Sequence, residues 1–354
     1  MTLHIFNPEH DIALATNLSN FTAPHAGRQL RNDLGFLPAL WAEDGDQILV
    51  SHEEVAMKQY RRICHRLKTL GITESLPAVN PKFTSSKVAV YRQETSSLQP
   101  WGWDKAIRRE LERMGFTEPL LPTMEQTEQV RQLSHRRTSA QLLPLLQMEG
   151  TVGKAWECTT TEQVTDLLQQ QESLVLKAPW SSSGRGVRFV RSVEELSNVM
   201  NWISNILKTQ GSIMAEPYYN KVKDFGMEFM ADENGSIHYL GLSLFHTVNG
   251  AYEGNVLATE SVKQEMISRY VPACMLDSVK HKIIEHLRLD GYVGPFGIDM
   301  MVTKEGFHPC VEINLRRTMG HVALAISPTD DDIRGVMRVI YDGNHYKLKI
   351  NKLR

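Results

Sequence analysis

Residues 174–190 limit the folds open to this chain more than any other stretch. Leu174-Val-Leu-Lys177 is a short apolar run that ends on one lysine. After Ala178-Pro179-Trp180 comes a loop of small residues, Ser181-Ser182-Ser183-Gly184-Arg185-Gly186, and Val187–Val190 returns as a second strand-like run. This pattern predicts a hairpin whose turn holds an anion. Gly184 and Gly186 let backbone N–H groups converge with no Cβ in the way. Ser181, Ser182 and Ser183 add hydroxyl donors, and Lys177 and Arg185 add positive charge. A nucleoside triphosphate is the guest such a loop suits best.

The chain is 354 residues long, more than one small core can organise, so two or three subdomains are expected. With 42% hydrophobic and 23% charged residues it has the composition of a soluble globular protein. A formal charge of -2 gives no electrostatic reason to expect nucleic acid as a partner. No apolar run approaches the ~18–20 residues that span a bilayer. Met1–Glu9 lacks the basic start and apolar run of a signal peptide. The expectation is a cytoplasmic protein with no membrane partner. Cys64, Cys158, Cys274 and Cys310 are scattered without a Cys-x-x-Cys pair, which argues against a zinc knuckle or redox pair and for reduced, mostly buried thiols.

Along the chain, Leu3–Phe6 reads as a first strand running into the polar turn Asn7-Pro8-Glu9-His10-Asp11, at the edge where open α/β sheets bind ligands. Residues 24–34 predict a short helix, Gln47–Val50 a strand, and Glu53–Thr69 a helix with Val55, Tyr60, Ile63 and Leu67 on one side, ended by Gly71. This alternation predicts a small α/β unit over the first hundred residues. Helices are expected over Trp101–Met114 and Met124–Leu146, the latter interrupted near Pro144. Gly153–Cys158 (strand), Thr161–Gln170 (helix) and Ser173–Lys177 (strand) lead to the hairpin loop. Beyond it come Val193–Lys208 (helix), Ser212–Glu216 (strand) and a hairpin of Lys223–Ala231 with Ser236–Phe245 around Asp232-Glu233-Asn234-Gly235. Met266–Leu289 reads as mostly helical, Gly297–Val302 and Cys310–Asn314 as strands, and Ile333–Tyr341 as a closing helix.

Asp299, Glu312 and Asn314 are oxygen donors on what read as adjacent antiparallel strands. Glu312 and Asn314 are two apart and face one side of the sheet, with Asp299 able to sit opposite. Such ligands suit Mg²⁺, which keeps waters and bridges nucleotide phosphates. Val311 and Ile313 turn the other way, toward a core.

These features occur in a meaningful order: Lys177 with its Ser/Gly loop, Ile213-Met-Ala-Glu-Pro-Tyr218, Asp299 in Gly-Ile-Asp-Met-Met-Val, then Val311-Glu-Ile-Asn-Leu-Arg316. Over about residues 125–345 the chain resembles the ATP-grasp superfamily. The resemblance implies an α/β (α+β) protein of ATP-grasp fold. Residues 1–120 would form an N-terminal α/β pre-ATP-grasp domain, 121–215 a lid subdomain and 216–354 a C-terminal subdomain with the magnesium site. It implies ATP and Mg²⁺ as cofactors, and a small-molecule or peptide carboxylate activated as an acyl-phosphate and joined to an amine or other nucleophile. By the same resemblance Lys177 contacts the α- or β-phosphate, the Ser181–Gly186 loop covers the β- and γ-phosphates, and Glu216, Pro217 and Tyr218 meet the adenine. Pro217 has no N–H, so the adenine donor is expected at Tyr218 or beside it. Asp224 fits the ribose, with Glu228 as competitor. Arg316 steadies the transferring phosphoryl group, while Arg317 faces away unless the strand has ended, and is kept as a substrate-side candidate.

Two departures stand out. Lys154 precedes its strand rather than closing it, and in His135-Arg136-Arg137 the resemblance points to Arg137 as a nucleotide contact. On the substrate side, His10, beside Glu9 and Asp11, is a candidate for binding an amine or orienting a substrate. His321 in Thr318-Met319-Gly320-His321 is a candidate carboxylate contact or base in a loop. Trp101-Gly102-Trp103 reads as packing. The alternatives to a ligase are a small-molecule kinase on the same clamp and a nucleotide-binding regulator without turnover. The lack of Gly-x-x-x-x-Gly-Lys-Ser/Thr argues against a P-loop enzyme. The mid-chain position of the glycine loop argues against a Rossmann dehydrogenase.

Overall fold

The computed structural model describes residues 1–72, 81–85, 94–181, 186–248 and 251–353, and their strands form four four-stranded sheets. Strands β1 (Thr2–Ile5), β2 (Gln47–Leu49), β3 (Lys82–Thr84) and β4 (Ser97–Pro100) make a parallel sheet in the order β3-β2-β1-β4. Helices His25–Leu34 and Glu53–Leu70 belong to this unit, and Gly71, in the left-handed region at φ 64°, ends the second. That helix buries Ala56, Tyr60, Ile63 and Leu67, while Val55, expected on the same side, is exposed. The helix expected from Trp101 starts only at Lys105. Asp104 caps it, its Oδ1 accepting the N–H groups of Ala106 and Ile107 at 2.8 and 2.9 Å. The tryptophan pair thereby stays outside the helix, and the Trp101 ring packs edge-on against Phe6 at 4.9 Å.

Met124–Leu146 is two helices, Met124–Leu133 and Arg137–Leu146, broken at Ser134–Arg136 rather than at Pro144. Pro144 falls in the last turn and the helix runs on to Leu146. The break turns Arg136 inward, with its Nε donating to the Ala178 carbonyl at 3.0 Å.

The second sheet is antiparallel, β5-β8-β6-β7, built from β5 (Trp156–Cys158), β6 (Leu174–Lys177), β7 (Val187–Val190) and β8 (Ile213–Pro217). The expected hairpin is present, with Leu174 opposite Val190 and Lys177 opposite Val187. Helices Thr161–Gln170 and Val193–Gln210 supply Val164, Leu196 and Ile203 to its core, against Leu176, Ile213 and Ala215.

Strands β9 (Lys221–Ala231), β10 (Ile237–Ser243), β11 (Phe245–Val248), β12 (Ala251–Leu257), β13 (Gly294–Thr303), β14 (Phe307–Asn314), β15 (Gly335–Tyr341) and β16 (Tyr346–Lys352) form two antiparallel sheets, β10-β9-β13-β14 and β11-β12-β15-β16. The strand expected over Ser236–Phe245 ends at Ser243. Leu244 is buried, its carbonyl accepts from the Val256 N–H at 2.8 Å, and the chain crosses into the other sheet. In the first sheet alternate residues Phe225, Met227 and Phe229 of β9 and Phe296, Ile298 and Met300 of β13 enter one core, where Phe229 and Phe296 stack at 5.2 Å. Arg137–Leu146 closes this core, and Ser139 Oγ accepts the Ile313 N–H at 2.9 Å. Met266–Leu289 is likewise two helices, Glu260–Ser268 and Ala273–His286, with Pro272 at the start of the second.

The closing segment is not a helix. Residues Gly335–Tyr341 are β15, paired with β12 and β16, with Met337 fully buried and Arg338 turned out. Leu257, Met337, Leu348 and Ile350 share a hydrophobic cluster with Leu34, Phe36, Ile48 and Ile63 of the N-terminal unit. The two ends of the chain therefore bury one another. All four cysteines are free, but only Cys158 and Cys310 are buried. Among the described residues no helix is long and apolar enough to cross a membrane.

Candidate active site

The face of β10-β9-β13-β14 opposite the phenylalanine core is polar. Register sets Gly226, Asp299 and Glu312 in one row and Glu228, Gly297 and Asn314 in the next. Asn314 Nδ2 donates to Asp299 Oδ2 at 3.2 Å. Burial, then the nearby carboxylates of Glu312 and Glu228, push the Asp299 carboxyl up to about 8. Glu228 is 4% exposed, and its Oε2 makes no regular hydrogen bond but lies 3.0 Å from His321 Nδ1. Three carboxylates over two adjacent, partly buried rows are costly unless positive charge answers them. Two of them with the Asn314 amide form the hard oxygen set that suits Mg²⁺. Among the described residues no three His, Cys, Asp or Glu side chains form a ready metal cage. The set therefore fits Mg²⁺, which Asp299, Glu312 and Asn314 would hold without forming a full protein cage.

Arg136 joins this row to the serine loop. Its Nη1 lies 2.8 Å from Glu312 Oε2, and its Nη2 donates to Ser181 Oγ at 3.3 Å. Of the basic run it is Arg136, rather than the Arg137 named from the sequence, that faces this row. Arg137 is the first helical residue and pairs with Glu157 at 2.6 Å on the outside, while Arg136, at the N-cap, is buried. The run itself was visible in the sequence; which arginine faces in depends on where the helix starts.

Lys177 is buried and its Nζ donates to Glu216 Oε2 at 2.6 Å. Across the loop base the Ala178 N–H donates to the Gly186 carbonyl at 2.8 Å. A Cβ on Gly186 would stand 2.3 Å from Ser181 Cβ, so only glycine closes this turn. Ser182, Ser183, Gly184 and Arg185 lie outside the described residues. Pro217 ends β8. Of the two places expected for the adenine donor, at Tyr218 or beside it, the first is taken: the Tyr218 N–H donates to the Ser173 carbonyl at 3.3 Å, extending the β6–β8 pairing, and its exposed ring packs on Phe189 at 5.9 Å. Tyr219 turns inward instead, its ring 5.7 Å from that of His308. His308, near Lys177 and Glu216, was not foreseen. It is 1% exposed, neither ring nitrogen makes a hydrogen bond, and burial lowers its pKa to about 4. Asp224 is held by Lys221 Nζ at 2.7 Å. Lys154 is exposed ahead of β5.

Arg316 lies on the metal side. Its Nη2 donates to Asn314 Oδ1 at 3.0 Å, and its Nε and Nη2 grip both oxygens of Asp11 at 2.9 and 2.8 Å. Burial opposes both charges, yet this pair holds the Asp11 carboxyl below its usual range and the Arg316 guanidinium above its own. Arg317 leaves the row. Its N–H donates to the Trp101 carbonyl at 2.8 Å and its guanidinium lies 4.7 Å from the centre of the Trp41 ring.

His321 is not in a loop. It is the third residue of the helix Met319–Ala325, buried, in a capping box in which its Nδ1 accepts the Thr318 N–H at 3.1 Å. Its Nε2 is 3.3 Å from the Phe229 carbonyl, so both nitrogens are engaged in structure. Thr318→Ala is expected to lower stability by about 1 kcal/mol, read as a shift of the urea midpoint with the slope unchanged. His10 is buried, with Nδ1 3.1 Å from Asp104 Oδ2. It lines a narrow cleft with Asp11, Ser181, Glu312 and Asn314. A separate cavity of about 740 Å³ lies in the N-terminal unit, lined by Glu9, Arg28, Arg31, Asp104 and Glu110 among others, and contains none of the loop or metal-side residues.

Residues 157–314 match the family model described as L-aspartate–L-methionine ligase, ATP grasp. A comparison with curated protein sequences gave no match. Among solved structures, N5-carboxyaminoimidazole synthetase from Staphylococcus aureus complexed with ADP is similar at TM-score 0.53 and 11% identity, over 97% of this chain and 83% of that one. Biotin carboxylase from Campylobacter jejuni, in a complex with a β,γ-ATP ligand, is similar at TM-score 0.52 and 12% identity, over 96% of this chain and 75% of that one. Identities this low establish a common fold.

Proposed function

We propose, on the premise that this chain is an ATP-grasp protein, that it is an ATP-dependent carboxylate–amine ligase whose acid and amine are amino acids. The observation that carries this reading is the Arg136 bridge. It links Glu312, opposite Asp299 and two residues from Asn314, to Ser181 at the mouth of the Lys177 hairpin. A triphosphate between the two sheets would have donors on one side and a metal-binding row on the other. The small-molecule acid would meet its γ-phosphate in the cleft shared by His10, Glu312 and Asn314.

Mg²⁺, when bound, supplies neutralisation of phosphate charge, and Asp299, Glu312 and Asn314 would hold it. Lys177, steadied by Glu216, is a point charge for phosphate oxygens. Ser181 and Gly186, with the four loop residues between them, cover the phosphates. Arg316, fixed between Asp11 and Asn314, steadies the phosphoryl group as it moves to the substrate carboxylate. Positioning and charge do most of the work, with no protein nucleophile. Residues 1–120 would contribute to the acceptor side, with 121–215 and 216–354 as the clamp halves, in a cytoplasmic enzyme.

The test is ADP release with Mg·ATP across pairs of the twenty amino acids, starting with L-aspartate and L-methionine, the pair named in the matching family model. ADP and phosphate should appear together with an amide, and only when both partners are present. A phosphorylated acid released without coupling decides for a kinase. Tight Mg·ATP binding with no turnover for any pair sinks the reading.

A further inference from the structure

His10 opens the helix His10–Thr16 at the C-terminal edge of β1 and is 1% exposed. Its Nδ1 lies 3.1 Å from Asp104 Oδ2, which also receives Asn7 Nδ2 at 3.3 Å. Asp104 is itself fixed, because its Oδ1 holds the N–H groups of Ala106 and Ile107. A Cβ on Gly102 would stand 2.7 Å from the His10 ring, so the imidazole lies on bare backbone. A carboxylate only accepts. The proton of a neutral His10 therefore sits on Nδ1, and Nε2 carries a lone pair. No described group bonds Nε2, and the ring lines the cleft that holds Ser181, Glu312 and Asn314.

We propose that His10 is the base that deprotonates the amine substrate, with Asp104 as its positioning residue; this rests on the ligase reading above. An amino acid arrives at neutral pH as an ammonium ion, which has no lone pair and cannot attack. His10 Nε2 takes one proton from it. The freed nitrogen lone pair forms the C–N bond to the acyl-phosphate carbon, and the C–O bond to phosphate breaks. The electron pair leaves on the phosphate, which takes the second nitrogen proton and departs as hydrogen phosphate. The charged groups facing His10 are accounted for: Asp104 on Nδ1, Asp11 paired with Arg316, and Glu312 paired with Arg136.

The experiment compares two nucleophiles. Hydroxylamine is unprotonated at pH 7 and needs no base; it converts the acyl-phosphate into a hydroxamate. Each of the twenty amino acids is offered as the acid with Mg·ATP and hydroxylamine, and then with an amino acid as the amine. In His10→Gln amide formation at pH 7 should fall about 10²–10⁴-fold further than hydroxamate formation. That lost rate should return about tenfold per pH unit as the amine deprotonates by itself. Asp104→Asn keeps the helix cap but turns an N–H toward Nδ1 and so favours the wrong tautomer. It should show the same split between nucleophiles. Equal loss of both rates in His10→Gln, or an amide rate that stays flat as pH rises, overturns the base. A wild type that makes no hydroxamate with any of the twenty acids overturns the ligase reading instead.

Discussion

Glu312→Gln will lower turnover about 10²–10³-fold and weaken Mg·ATP binding about 10–100-fold, by ADP release and calorimetry respectively. The shape of the side chain is kept and one charge is lost. Arg136 then faces a neutral amide instead of the carboxylate 2.8 Å away, and the row keeps Asp299 alone to answer a cation. The same change has a consequence without metal. Burial and the Glu312 and Glu228 carboxylates raise Asp299 to about 8 in the folded protein, above the ordinary carboxylate value it has unfolded. The folded state therefore holds a proton that the unfolded chain has released. That contribution to stability is full below pH 4 and is lost as the pH rises through 8. In EDTA, the melting temperature of the wild type should carry this loss between those limits, and Glu312→Gln should carry less of it. A variant that binds Mg·ATP as well as the wild type would remove Glu312 from the metal site.

Asp11→Asn will cost about 1–3 kcal/mol, because it leaves the partly buried Arg316 guanidinium without its two-pronged charge partner. The bond is two-pronged, with both Asp11 oxygens on Arg316, and it ties the first helix of the N-terminal unit to the segment leaving β14. Urea unfolding at pH 7 reads the cost. Asp11→Asn combined with Arg316→Met should recover much of it, since the penalty lies in the orphaned charge rather than in the missing contact. Burial and then the Arg316 charge act oppositely on Asp11, and the charge prevails, so its folded pKa is depressed. The contribution is therefore present above the unfolded carboxylate value and fades as the pH falls below it. If the single variant is as stable as the wild type, this pair does not join the two units.

How much of this was legible before folding follows the range of each interaction. Glu312 and Asn314 share a face because side chains along a strand alternate with period two, a local rule that holds before any partner is known. The Lys177 hairpin was legible for the same reason. The closing strand was not. Ile333, Met337 and Ile340 stand at helical spacing, and pairing with β12 and β16 overrode that spacing. The adenine donor was expected at Tyr218 or beside it because Pro217 has no N–H, yet the Ser173 carbonyl takes the N–H of Tyr218.

The sequence by itself determined which groups are at hand: a serine- and glycine-rich run behind one lysine, and a pair of carboxylates with an amide on neighbouring strands. Tertiary structure alone decided which charges meet. Asp11 grips Arg316, Arg136 reaches Glu312, and Asp104 aligns His10, each across 94 residues or more. No local pattern encodes such pairs, because the strength of a buried ion pair depends on the distance and burial that the completed fold imposes.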